Sequence, residues 1–217
     1  DLVRYLRDLT DGVPIGVKLA PGKQLEEDLR LCLEAGVDVI ALDGAQAATK
    51  GSPPILQDDF GIPTVHALVR ADEFLRASGQ REKVSLIVGG GLYTPGDFLK
   101  AIALGADAVY IGSIALFALS HGQVFKSLPW EPPTQLVFYG GHQANQFDID
   151  EAADRLSKFL RSCAKEMAVG IRALGKTSLG EISKDDLMAL DSVTADVCKV
   201  SLSYRADAVP APVHGAT

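Results

Sequence analysis

Sulfur is sparse in this chain and clustered positive charge is missing. Three cysteines, Cys32, Cys163 and Cys198, stand far apart in 217 residues with no CxxC spacing. That argues against a disulfide framework or a cysteine-held metal and fits a reducing, cytoplasmic setting. The four histidines (His66, His121, His142, His214) show no metal-ligand spacing either. With no basic run and a formal net charge of -7, nucleic acid is not an expected partner, because neutralising phosphates takes clustered Lys and Arg. An uninterrupted apolar span is also missing. The mostly apolar stretch 98–119 is broken by Lys100, Gly105, Asp107 and Gly112, and a charge near the centre of a membrane span costs about 2.5–3.5 kcal/mol. No membrane segment is expected. Neither G-x-G-x-x-G nor Gly-Lys-Ser/Thr occurs where "GGGLYTPGD" stands, which rules against a dinucleotide fingerprint and a Walker A loop.

Apolar residues make up 47% of the chain, enough for one substantial core. Short apolar runs alternate with helical patterns: "IGVKLA" (15–20), "VDVIALDG" (37–44), "VSLIV" (84–88) and "AVYI" (108–111). Helices are expected at about 2–9, 22–36, 65–78 and 94–104. Strands that are apolar throughout and separated by helices predict an α/β fold with a parallel sheet covered on both faces, either doubly wound or a (β/α) barrel. Beyond 113 the pattern shifts to a short helix, a proline- and aromatic-containing loop, and a long amphipathic helix over about 148–174 capped by Gly175. Two short helical turns follow, each opened by a serine, and then an Ala/Pro-rich tail.

Two successive strands end on glycine: Gly89-Gly90-Gly91, and Gly112-Ser113 with a helix starting directly after. Glycine lets backbone N–H groups approach an anion, and a helix N-terminus adds partial positive charge. In barrels, the loops after the last two strands commonly hold phosphate. Either loop alone reads as a tight turn; the pair reads as one phosphate cradle. Lys18, at the end of an otherwise apolar strand, sits where barrels place catalytic groups, although a strand-end lysine reaching solvent fits as well.

The stretch "VSLIVGGGLYTPGDFLKAIALGADAVYIGSIALFAL", with "PIGVKLAPGKQLEEDLRLCLEAGVDVIALDG" and "PPTQLVFYGG", resembles the FMN-binding domain of the glutamate synthase family from about Pro14 to Leu202. The resemblance implies that these strands are strands 5–8, the C-terminal half of a (β/α)8 TIM barrel with a helical C-terminal extension. It implies a half-barrel over 1–122, an extension over 123–205 and a flexible tail over 206–217. Upstream sequence supplying the first half is expected. FMN is the implied cofactor, held by Lys18, Gly89, Gly90, Gly91, Gly112 and Ser113, with Lys18 also catalytic and Thr49, Lys50, Gly51 and Ser52 in a substrate loop. The implied reaction is reductive amination of 2-oxoglutarate through 2-iminoglutarate to glutamate, with a 2-oxo or amino acid and ammonia or an amine as small-molecule partners.

Departures from the family pattern are local. Where glutamate synthases carry "GGTGASP", this chain reads "AATKGSP" (47–53), adding bulk at Ala47 and Ala48 and a charge at Lys50. Residues 120–132 contain no cysteine, so no iron–sulfur cluster is expected from this segment. Tyr93 stands where many flavin barrels place an arginine. With no glutaminase segment in these residues, nitrogen is expected from free ammonia, an amine or a separate subunit, and a separate glutaminase or reductase subunit is a candidate partner. An N-methylglutamate synthase-type subunit and a non-catalytic barrel scaffold are the alternatives.

Overall fold

The computed structural model describes residues 2–48, 52–128 and 132–205; the expected tail over 206–217 lies outside them. Helix α1 (Leu2–Leu9) leads to strand β1 (Gly16–Leu19), α2 (Leu25–Ala35) and β2 (Val39–Asp43). A short helix α3 (Pro54–Asp58) and the longer α4 (Thr64–Ala77) precede β3 (Ser85–Gly89), followed by α5 (Pro95–Ala103) and β4 (Ala108–Tyr110). The four strands are parallel and lie in the order β1-β2-β3-β4.

That order contains no switch point among the described strands. A doubly wound sheet reverses direction at a switch point; here each crossover steps to the next strand on the same side. Because parallel crossovers keep one hand, such winding puts every connecting helix on one face. Burial agrees. Ile40, Leu42, Leu86 and Val88 are fully buried beneath Leu25 and Leu29 of α2, Leu68 and Leu75 of α4, and Ala101 of α5. Each such Ile, Leu or Val side chain stabilises the fold by about 1.5–3 kcal/mol. The opposite face carries Gly16, Lys18, Ser85 and Ala108, all exposed, and Val39, Ala41 and Ile87, only half-buried. Cover on both faces, expected from the apolar strands, is therefore found on one face among the described residues. The apolar runs reflect a second face that these residues do not cover.

The sheet's N-terminal edge is tied by a repeated device. Both α2 and α5 give way to a glycine with positive φ (Gly36, 80°; Gly105, 115°), then to a small apolar residue and an aspartate. Asp38 accepts the Ile15 amide and Arg7 Nη2, each at 2.7 Å. Asp107 accepts the Leu86 amide at 2.7 Å and Arg81 Nη2 at 2.8 Å. Each carboxylate thus stitches the start of its own strand to the neighbouring one. Arg81 also reaches the fully buried Asp72 of α4 at 3.0 Å, which Arg76 contacts at 2.8 Å from the surface.

Helix α6 (Ser113–Ser120) and a one-turn helix α7 (Thr134–Val137) lead to α8 (Ile149–Ala173), which packs on α5 and α6. Asp148 caps α8 through the Glu151 amide at 2.9 Å, and buried Gln123 brackets Asp148 by donating to its carbonyl and accepting its amide. The end of the chain differs from two helical turns. Ser183 does open a turn, through a capping box with Asp186. It runs into β5 (Met188–Ala189), which pairs in parallel with β6 (Ser201–Leu202), and between them α9 (Ser192–Cys198) is capped by Asp191 rather than by Ser192. Cys198 joins the main core and Lys184 lies 3.9 Å from Asp72, so the extension shares the core of the strand-helix units. Among the described residues no helix is long and apolar enough to cross a membrane.

Asp72 is the member of this network whose loss leaves a nearly buried guanidinium, that of Arg81, short of a partner. Asp72→Ala is expected to lower unfolding stability by about 3–5 kcal/mol, and Arg76→Ala, on the exposed side, by about 1 kcal/mol or less. Urea denaturation measures both; equal losses would assign the network no buried character.

Candidate functional site

All four strands deliver residues to one end of the sheet. Lys18 pairs in register with Ala41, two residues before Asp43, so both side chains leave the same, open face. Asp43 is level with Gly89, and Gly89 with Tyr110. The C-terminal edge thus carries Lys18, Asp43, the Gly89 to Gly91 turn and Tyr110, with Gly112-Ser113 directly beyond. Lys18, Gly90, Gly91, Gly112 and Ser113 line a single cleft of about 360 Å³, together with Asp43 and Tyr110.

Glycine is required at the cleft wall for a geometric reason. Gly90 has φ 114°, and a Cβ there would lie 2.8 Å from the Ala47 nitrogen; Gly91 has φ 68°. Gly112 is different: it stands before the first turn of α6 with open space where a side chain would project. The first amides of α6 have no intrahelical acceptor, and Gly112 and Ser113 line the same cleft as Gly90 and Gly91. Gly89 does not line the cleft. It lies under the Tyr110 ring, where a Cβ would come within 2.5 Å of Cε2.

Neighbouring loops brace the glycine turn. The Thr64 amide donates to Gln46 Oε1 at 3.0 Å. Thr64 Oγ1 lies 3.0 Å from that oxygen and 2.8 Å from the Gly90 carbonyl, its one proton serving one acceptor at a time. After the turn, Thr94 and Asp97 form a reciprocal capping box at the start of α5.

The electrostatics centre on one pair. Lys18 Nζ is 3.0 Å from Asp43 Oδ2 and 6.0 Å from the Tyr110 ring centroid, the outer limit for a cation–π contact. Lys18 and Asp43 are the charged residues among those lining the cleft. Asp43 Oδ1 and the Tyr110 hydroxyl are buried without hydrogen-bond partners, which marks them as groups that a ligand could satisfy. A second cavity of about 440 Å³ adjoins the same pair and includes Ser52, Leu56 and Phe60. Ser52 therefore lines a cavity that the Lys18–Asp43 pair also borders, whereas Thr49, Lys50 and Gly51 lie outside the described residues. Asp43, Tyr110, Gln46 and Thr64 were not anticipated. For Asp43 and Tyr110 the signal was present, since "ALDG" and "AVYIG" end strands as Lys18 does.

Fold and cleft together define a class: parallel (β/α) units wound in one direction, with an anion-suited cleft at the C-terminal strand ends. A family model described as a conserved region in glutamate synthase matches residues 1–177, and the chain belongs to that family. A glutamate synthase large subunit-like protein of Rhizobium meliloti (strain 1021) is 32% identical over 215 residues, covering 91% of this chain and 48% of that protein. An archaeal-type glutamate synthase (NADPH) of Dehalococcoides mccartyi is 44% identical over 119 residues, covering 54% of this chain and 24% of that protein. The chain thus spans about half or less of the length of these relatives. Among solved structures, the flavin-binding domain of baker's yeast flavocytochrome b2 aligns with 97% of this chain and 41% of its own at TM-score 0.54 and 23% identity, a likeness of fold.

Burial acts to raise the pKa of Asp97, but hydrogen bonds from Thr94 and the Tyr93 amide, with Lys100 nearby, hold it below the usual aspartate value. Its contribution is then present above the unfolded value of about 3.9 and lost as pH falls through the lower folded one. Asp97→Ala is expected to cost about 1 kcal/mol at neutral pH and to make the acid limb of stability shallower. Denaturant midpoints across the acid range check this; an acid limb parallel to that of the wild type would contradict it.

Proposed function

We propose that the cleft binds FMN and that the four strands form the second half of an eight-stranded barrel. The observation that carries the reading is the convergence, in one cleft, of the Gly90–Gly91 turn, the open N-terminus of α6 at Gly112-Ser113, and Lys18. The residues present suit the cofactor. Backbone amides at two glycine-lined walls would accept a phosphate, and Lys18 offers a cation to the electron-rich edge of a flavin ring. The flavin-binding domain of a fold relative and membership in the glutamate synthase family support the same assignment.

Bound FMN would supply hydride to an electrophilic carbon. The substrate class that fits is a 2-oxo acid condensed with ammonia, 2-oxoglutarate in the reading we adopt, giving glutamate. The chain's own residues bind and orient: the glycine walls hold the phosphate end, and Lys18 stabilises negative charge at the ring edge or on a carboxylate. Lys18 and Asp43 largely offset one another, so the described cleft presents no surplus cation for two substrate carboxylates. Those contacts would come from the first half-barrel or from the loop that contains Lys50. A separate subunit would supply ammonia or electrons.

Gly112→Asp tests the phosphate cradle, because a side chain fits there without a clash. FMN affinity is expected to fall by about tenfold or more through charge repulsion, with riboflavin affinity unchanged. Equal loss for both ligands, or no loss, would place the phosphate elsewhere. Lys18→Met is expected to lower turnover of 2-oxoglutarate with ammonia by about 100-fold or more, with retained flavin; unaltered turnover would favour a scaffold. Assaying methylamine beside ammonia separates N-methylglutamate formation.

A further inference from the structure

We infer that Asp43 is a positioning residue, which holds the Lys18 ammonium across the mouth of the cleft and sets the charge that a ligand meets there. The assignment of that ligand as a flavin rests on the function proposed above; the hold of Asp43 on Lys18 does not.

The geometry is specific. A lysine at the end of an edge strand, with 60% of its side chain exposed, has no packing to fix it. Its one close ionic partner among the described residues is Asp43, on the adjacent strand and the same face. Asp43 is itself fixed. Its side chain is only 19% exposed and it ends the central strand β2, whose next residue, Gly44, donates its amide to the Gly89 carbonyl at 3.1 Å. A largely buried carboxylate therefore faces an exposed ammonium. One carboxylate oxygen faces Lys18 and the other, Oδ1, is buried and unpartnered. The pair also borders both cavities, the glycine-walled cleft and the one beside Ser52. A ligand in either meets a compensated charge.

The test compares acylation rates of individual lysines in the flavin-free protein at one fixed pH, read by peptide mass spectrometry. The readout is the rate at Lys18 divided by that at Lys176, which pairs with Asp186 in the extension. Asp43→Asn is expected to raise this ratio about two- to fivefold, and Asp43→Glu to return it toward the wild-type value. General loosening of the chain raises both rates and leaves the ratio unchanged; an unchanged ratio, whatever its cause, overturns the assignment. In the FMN-loaded protein, Asp43→Asn is expected to tighten sulfite addition to the flavin by about tenfold, because the charge of Lys18 is no longer offset. Unaltered sulfite affinity overturns the role of the pair at the cofactor. A wild-type protein that takes up no FMN overturns the flavin reading alone, and the labelling ratio still decides the role of Asp43.

Discussion

Everything at the candidate site depends on the winding of four parallel strands in one direction. Because β1, β2, β3 and β4 follow one another without a switch, α2, α4 and α5 share one face and every strand points its C-terminal end the same way. A lysine, an aspartate, a glycine turn and a tyrosine, separated by up to about ninety positions in sequence, thereby meet along one edge. Their alignment needs no contact designed for it; parallel register supplies it. The opposite edge holds the winding in place, with Asp38 and Asp107 each bridging a strand start to its neighbour and to an arginine.

This division of labour matches the logic of barrel folds, in which the N-terminal face carries stability and the C-terminal face carries chemistry. The stability edge is rich in satisfied, charge-assisted hydrogen bonds, with Asp72 and Arg81 at its centre. At the other edge, polar groups are left unsatisfied: Asp43 Oδ1 and the Tyr110 hydroxyl are buried without partners. Burying a polar atom without a hydrogen bond is costly, so two such atoms in one cleft, beside a lysine, single out that edge as the functional one. The open face tells the same story. Val39, Ala41 and Ile87 are apolar side chains only half-covered, on the face that the described helices leave open.

Much of this was legible in the residues. Strand-helix alternation, the glycine endings at Gly91 and Gly112, the lysine at 18 and the left-handed cap at Gly36 all follow from local chemistry: apolar period, missing Cβ atoms and the place of a charge in an apolar run. Other features were not. The run "EISKDDLMAL" looks helical by pattern, yet Met188–Ala189 within it forms a strand because Ser201–Leu202 lies beside it. Gly89 reads as part of an anion cradle yet serves to admit the Tyr110 ring, a contact between two strands that no local pattern encodes.

The amino-acid order by itself determined the four strands of the main sheet, the helices between them and that two adjacent strands end in an anion-suited glycine turn, because those depend on neighbours in the chain. Only the tertiary structure decided that the described sheet is covered on one face, that Lys18 pairs with Asp43, and that Gly90, Gly112 and Lys18 open onto one cleft. These are consequences of strand order and register, and register is set by packing between segments far apart in sequence.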